Sequence, residues 1–87
     1  MIAADIDIGR APAGVRVNAV APGVILTELV RPMRDVPGGL DWYTSRVPFK
    51  RCGEPEEVVG PVVFLCSPMA SYINGVVLPV DGGFLSA

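Results

Sequence analysis

Two short apolar runs stand out along the chain, and each predicts a β-strand. Residues 15–21, VRVNAVA, are almost continuously apolar and rich in valine, which is typical of a strand buried on both faces of a parallel sheet. The strand must end at Pro22, because proline has no N–H to donate to a sheet ladder. Residues 75–80, GVVLPV, predict a second buried strand, in which Pro79 indicates an edge strand or a position near the strand end.

Between the two runs, residues 54–67 carry the pattern of an amphipathic helix. Pro55 takes the favoured first helical position, and two glutamates follow in the first turn, where the helix dipole stabilises negative charge. Pro61 predicts a kink. Cys66 lies on the apolar stripe, so we expect it to behave as a small hydrophobe. A weaker pattern at residues 2–8 predicts a further short helix.

Residues 28–50 form a long connection rich in charged and turn-forming residues, in which residues 40–47 could form two helical turns. A connection this long in a compact protein is usually functional, often as a lid. The order of strand, connection, helix and strand predicts an α/β fold, a β-α-β unit with parallel strands and a right-handed crossover. Two strands with one helix make an incomplete domain, so we expect the chain to form the edge of a larger sheet.

Composition narrows the class of protein and of partner. The 87 residues are 51% hydrophobic and 18% charged, with a mean hydropathy of +0.48, so we expect the apolar surface to meet a partner or the chain to belong to a larger fold. A net charge of −2 without a basic cluster argues against nucleic-acid binding. No apolar run approaches the roughly 20 residues of a membrane span, and no secretory signal occurs. Because two cysteines are too few for a disulfide framework, a reducing cytoplasm is the default location.

Few residues suit metal binding or nucleophilic catalysis. The sequence has no histidine and two cysteines, which removes His-dependent triads, most zinc sites and a disulfide framework, so we expect no bound metal. The Pro22-Gly23 turn is the strongest candidate for a ligand site, because ligands of open α/β sheets bind at the carboxyl ends of strands. Taken alone, the pair is better explained as a loop that ends a strand, and only the longer motif around it favours a ligand site. Asn18 is expected to satisfy a neighbouring backbone group.

Three motifs occur in order: Asn-x-Val-x-Pro-Gly-x-Ile-x-Thr from residue 18, Arg-x-Gly-x-Pro-Glu-Glu from residue 51, and Val-Asp-Gly-Gly from residue 80. Over residues 12–84 the chain thereby resembles the C-terminal part of a short-chain dehydrogenase/reductase, whereas residues 1–11 do not match. The resemblance implies a Rossmann-type parallel sheet whose sixth and seventh strands are the two predicted here. It also implies hydride transfer between NAD or NADP and a carbonyl or alcohol substrate.

The same resemblance assigns roles to individual residues. The turn at Pro22 and Gly23 would lie beside the nicotinamide ring, Ile25 would offer its backbone to the carboxamide, and Thr27 its hydroxyl to the carboxamide or a phosphate. Gly23 would let the backbone approach a ligand without a Cβ. Residues 28–50 would be the substrate loop. Its members Met33, Trp42 and Tyr43 could line a substrate pocket or simply cover the core, and the sequence leaves both alternatives open.

Two family motifs are missing from these 87 residues: the Gly-rich phosphate turn and the catalytic Tyr-x-x-x-Lys. We therefore expect no catalytic residue in the chain and no activity of the chain alone. A second hypothesis is an association module that forms a homo-oligomer or binds a full-length relative through its last helix and strand. A third is a non-functional fragment.

Overall fold

The computed structural model describes residues 11–86, so the helix predicted over residues 2–8 lies outside the described residues. The main elements are two strands and three helices: β1 (Ala19–Pro22), α1 (Arg31–Arg34), α2 (Asp41–Thr44), α3 (Pro55–Cys66) and β2 (Val77–Val80). Short 3-10 helices occur at Ala11–Ala13, Glu28–Val30, Pro68–Ala70 and Phe84–Ser86. The predicted α/β class, with two strands and a helix between them, is confirmed.

The two strands pair in parallel, residue for residue, as the β-α-β prediction requires. The N–H groups of Ala19 and Gly23 donate to the carbonyls of Val76 (2.9 Å) and Val80 (3.0 Å), which places the ladder on the even-numbered residues of β2. The backbone nitrogen of Pro79, which carries no hydrogen, therefore points away from β1. This geometry explains how a proline lies inside the strand.

Both strands are shorter than predicted, because side chains take over the pairing just upstream of them. The Asn18 Oδ1 atom accepts the Val76 N–H at 3.0 Å, and Asn18 Nδ2 donates to the Ile73 carbonyl at 3.1 Å. Asn74 Oδ1 likewise accepts the Val17 N–H at 2.9 Å. The prediction that Asn18 satisfies neighbouring backbone groups is confirmed.

The predicted long helix is present as α3, which continues through Pro61. Its carboxyl end is capped by Arg16, whose Nη1 donates to the Leu65 carbonyl at 2.9 Å. Cys66, which lies on the apolar pattern of the helix, is exposed. Leu65 is the one buried residue of α3, since the outward face of the helix has no cover within residues 11–86.

The connection over residues 28–50 folds onto the carboxyl ends of the strands. Within it, α2 is a single turn, shorter than the two turns predicted over residues 40–47. The Phe49 N–H donates to the Gly82 carbonyl at 3.2 Å and so ties the end of the connection to the turn after β2. The main buried cluster consists of Tyr43, Val47 and Cys52, surrounded by the half-buried Val24, Leu26, Leu40 and Phe84.

Burial of the strands is lower than the continuous apolar pattern predicted. Ala21 is the one buried strand residue, and the others are half-buried or exposed. The reason is architectural: α3 packs against both strands and is the single helix longer than one turn among residues 11–86. Within that same range, no helix is both long and apolar enough to cross a membrane.

Candidate functional site

The site is built around the turn that follows β1. The Gly23 N–H donates to the Val80 carbonyl, so the turn lies beside the carboxyl end of β2. A Cβ on Gly23 would overlap the Tyr43 hydroxyl oxygen and lie 3.0 Å from Asp81 Cβ. A glycine is therefore required for packing, in addition to any close approach of a ligand.

Ile25 follows two residues later and forms an isolated parallel bridge with Gly53. The Gly53 N–H donates to the Val24 carbonyl at 2.9 Å, and the Leu26 N–H donates to the Gly53 carbonyl at 2.9 Å. In such a bridge the N–H and C=O of the central residue point away from the partner strand. The Ile25 carbonyl accepts the Thr27 N–H at 2.8 Å. No group among residues 11–86 accepts the Ile25 N–H, which leaves one directed donor at the end of β1.

Tyr43, in α2, reaches the same turn through its hydroxyl. Its hydroxyl accepts the Val24 N–H at 3.2 Å and donates to the Asp81 carbonyl at 3.5 Å. The side chain is only 3% exposed, and its ring stacks on Phe84 with centroids 5.4 Å apart. Tyr43 is therefore a core residue that also binds the backbone of the candidate site.

The two other side chains predicted to line a substrate pocket lie farther out. Trp42 contacts the Tyr43 ring edge-on, with centroids 5.7 Å apart, and is 49% exposed. Met33 in α1 is 40% exposed. Both are accessible from solvent, and their contact with a substrate stays a prediction.

Thr27 is exposed and immediately precedes the 3-10 helix at Glu28–Val30. Its carbonyl accepts the Val30 N–H at 3.2 Å, whereas its hydroxyl makes no hydrogen bond within residues 11–86. Pro22, the last residue of β1, is half-buried. The Thr27 hydroxyl is thus accessible at the same end of the strand as the Ile25 N–H.

An ion pair holds the segment that carries Gly53. Arg51 Nη1 and Nη2 donate to Glu57 Oε1 (2.8 Å) and Oε2 (2.9 Å), and Glu57 Oε1 also accepts the Glu54 N–H at 2.9 Å. The Arg51 hydrogen bonds, followed by that of the Glu54 N–H, lower the pKa of Glu57 to about 2. The same bond to Glu57 raises the pKa of Arg51. The sequence pattern predicted an interaction of Glu57 with the helix dipole and did not predict this ion pair, although Arg51 and Glu57 are the first and last residues of the Arg-x-Gly-x-Pro-Glu-Glu motif.

Some of these groups border an open cleft of about 730 Å³. The cleft brings together Ile25, Tyr43, Gly53, Arg51 and Asp81, whereas the other predicted site residues lie outside its lining: Pro22, Gly23, Thr27, Met33 and Trp42. Its lining is mainly apolar with few polar groups, which is typical of small-molecule sites. Burial raises the pKa of the Cys52 thiol, so this cysteine is not an activated nucleophile. Over residues 11–86, no three His, Cys, Asp or Glu side chains cluster as metal ligands.

Comparison with known proteins places this geometry in a family context. A family profile described as enoyl-(acyl carrier protein) reductase matches residues 8–85. The chain is 48% identical over 71 residues to galactitol 2-dehydrogenase (L-tagatose-forming) of Cereibacter sphaeroides, covering 82% of this chain and 28% of that protein. It is 46% identical over 76 residues to L-rhamnose 1-dehydrogenase (NAD(P)(+)) of Azotobacter vinelandii, covering 87% of this chain and 30% of that protein.

Solved structures of dehydrogenases also match the chain. A gluconate 5-dehydrogenase of Burkholderia cenocepacia in complex with NADP and tartrate matches with a TM-score of 0.79 and 37% identity, over 91% of this chain and 32% of that one. A 4-hydroxyisoleucine dehydrogenase complexed with NADH matches with a TM-score of 0.87 and 28% identity, over 92% and 33%. The chain thus spans about a third of these proteins. The match confirms that β1 and β2 belong to a Rossmann-type parallel sheet, against which α3 packs.

Proposed function

The chain belongs to the short-chain dehydrogenase/reductase family, and from this premise we propose that it holds the nicotinamide end of NAD or NADP in an oxidoreductase. The reaction is hydride transfer between the cofactor and a carbonyl or alcohol substrate. The observation that carries the proposal is the Ile25 N–H, which is directed away from Gly53 at the carboxyl end of β1, where ligands of such sheets bind.

The residues present fit the nicotinamide end of such a cofactor. Ile25 would donate its N–H to the carboxamide, Thr27 would donate its hydroxyl to the carboxamide or a phosphate, and Pro22-Gly23 would let the backbone approach the ring. When bound, the nicotinamide supplies or accepts the hydride. Similar proteins carry NAD(P)(+) in their names or hold NADP or NADH in their structures, which supports this choice.

The same proposal assigns roles to the rest of the chain. Residues 1–87 act as a single C-terminal segment that is family-like over residues 12–84. Residues 28–50 form the substrate loop, with Met33 and Trp42 on its accessible side. These 87 residues contain neither the Gly-rich turn nor the Tyr-x-x-x-Lys motif. We therefore propose that they supply cofactor binding and no proton-transferring side chain, and are inactive alone.

Replacing the Ile25 N–H tests the proposal directly. In the intact protein, Ile25→Pro removes the donor, whereas Ile25→Val keeps it and serves as the matched control. Loss of one hydrogen bond should weaken NADH or NADPH binding about tenfold, measured by the change in cofactor fluorescence on titration. The proposal fails if the parent protein binds neither dinucleotide, or if the proline and valine variants bind equally well.

A second function, association with a copy of itself or with a longer relative, is favoured by the apolar surface at the far side of α3. Val59 and Val63 lie one helical turn apart and are exposed, as is Phe64. Exposed apolar groups continue along the chain to Met69 and Tyr72. Val63→Asp should shift the protein to a smaller species in sedimentation velocity, and Val36→Asp, at a similarly exposed valine outside α3, should not. An unchanged sedimentation coefficient for Val63→Asp would count against this interface.

A further inference from the structure

We propose that Tyr43 and the Arg51–Glu57 pair are positioning residues that orient the Ile25 N–H toward the nicotinamide carboxamide. The inference rests on the proposed cofactor site and explains how that site is held in place. It also gives Tyr43 a different task from that of lining the substrate pocket. None of these three side chains is required to touch the cofactor.

The Val24–Leu26 backbone is bound by two separate segments. The Tyr43 hydroxyl accepts the Val24 N–H. Gly53 accepts the Leu26 N–H and donates to the Val24 carbonyl. The two Gly53 bonds fix the peptide groups that flank Ile25, and the Tyr43 bond fixes the peptide group before them, so the direction of the Ile25 N–H is set by its neighbours. A backbone N–H has no side-chain torsion that could reorient it, so its direction depends on the hydrogen bonds of the neighbouring peptide groups.

The Tyr43 contact is rigid because the ring is buried. Its stacking on Phe84 and its edge contact with Trp42 leave little rotational freedom. The hydroxyl also reaches the Asp81 carbonyl in the turn after β2. One phenol therefore ties the substrate loop, the turn after β1 and the turn after β2 together.

The Gly53 contact depends on the ion pair next to it. Arg51 Nη1 donates to the Cys52 carbonyl at 3.1 Å as well as to Glu57, and Glu57 accepts the Glu54 N–H. The residues on both sides of Gly53 are thus held by one bidentate pair, whose planar geometry fixes orientation as well as distance. A Cβ on Gly53 would lie 2.8 Å from the Ile25 Cδ1 atom, so the two backbones pack closely.

The exposure of the pair distinguishes positioning from a purely stabilising role. The Arg51 and Glu57 side chains are 51% and 43% exposed. Exposed ion pairs contribute little to the free energy of unfolding, because solvent screens them. Their effect should therefore be larger on cofactor binding than on global stability.

The test compares ligands with and without a nicotinamide, using the intact protein. The variants are Tyr43→Phe and Glu57→Gln, and the second keeps an oxygen that can accept the Glu54 N–H but loses the charge. Matched controls are Tyr72→Phe, at a fully exposed tyrosine, and Glu56→Gln, one residue along α3. Affinities are measured by calorimetry for the preferred dinucleotide and for ADP-ribose, or its 2′-phosphorylated form if the protein prefers NADPH.

If the productive orientation of the Ile25 peptide is populated about a tenth of the time in Tyr43→Phe, dinucleotide affinity falls about tenfold. For Glu57→Gln we expect a fall of about threefold. ADP-ribose affinity and both control variants should not change.

Equal losses for the dinucleotide and ADP-ribose would mean general destabilisation and overturn the inference. Unchanged dinucleotide affinity in Tyr43→Phe and Glu57→Gln would overturn it as well and leave the proposed function standing. A parent protein that binds neither NADH nor NADPH would overturn the proposed function and this inference with it.

Discussion

Replacing Gly23 by alanine places a methyl group against the Tyr43 hydroxyl, and the cost of this overlap can be worked out from the surrounding atoms. The new Cβ would also lie 3.0 Å from Asp81 Cβ and 3.1 Å from Asp81 Cα, so the strand end cannot easily yield. Gly23 is not among the glycines with positive φ, and the cost is therefore steric. Overpacking of this kind costs about 2 kcal/mol in free energy of unfolding.

Tyr43→Phe alone removes the acceptor of the Val24 N–H and should cost about 1 kcal/mol. In the double variant the overlapping oxygen is gone, so part of the overlap is relieved. We expect a total of about 2 kcal/mol for the double variant instead of the additive value of about 3, which is a coupling of about 1 kcal/mol. Urea unfolding of the four proteins, followed by circular dichroism, measures each free energy.

Gly60→Ala is the matched glycine control. Gly60 lies inside α3, and a Cβ there would meet no atom within 4 Å, so alanine should raise the free energy of unfolding by about 1 kcal/mol through helix propensity. It should add independently to Tyr43→Phe. The reasoning is refuted if Gly23→Ala and Tyr43→Phe are additive to within about 0.4 kcal/mol, because the proposed overlap then has no energetic effect.

Three further predictions concern single residues away from that turn. The pKa of Glu57 falls from its ordinary 4.5 to about 2 on folding, so the small, solvent-screened stability contributed by its bond to Arg51 is complete above pH 4.5 and is lost as the pH falls toward 2; a Tm profile over this range should be slightly flatter for Glu57→Gln than for the parent. Arg16→Met removes the charged donor to the Leu65 carbonyl and should lower the free energy of unfolding by about 2 kcal/mol in urea titrations; an unchanged midpoint would contradict the capping role. Lys50 adopts a φ of 59°, so Lys50→Gly should raise the free energy of unfolding by up to about 1 kcal/mol in the same assay, and a lower value would show that this backbone is not strained.

The elements that could be predicted from sequence are those whose signals are local. Pro22 ends β1 and Pro55 begins α3 because a missing N–H acts at its own position, whatever the rest of the fold does. The parallel pairing followed from chain order alone. The role of Asn18 was also predictable, since a side-chain amide inside an apolar run needs hydrogen-bond partners, and the nearest are backbone groups.

The contacts that hold the candidate site could not be predicted, because they join segments far apart in sequence. The Tyr43 hydroxyl meets a backbone N–H 19 residues upstream, and nothing in the local pattern distinguishes this tyrosine from one lining a pocket. Arg51 and Glu57 lie six residues apart across a helix start, outside the three- and four-residue spacings that predict pairing on a helix. The exposure of Cys66 could not be predicted either, since an apolar helix face is buried only where a neighbouring layer covers it.

Recognition through a backbone group has a consequence for where substitutions should be tolerated. If Ile25 contributes its N–H, any side chain that keeps the backbone extended preserves the contact, so Ile25→Val is mild although the residue lies at the centre of the site. The sensitive positions are then Gly23, Tyr43 and Gly53, where an added or missing atom displaces the peptide. A side-chain site would show the reverse order, with its central residue the most sensitive. The ranking of cofactor affinities across these four positions therefore separates backbone recognition from side-chain recognition.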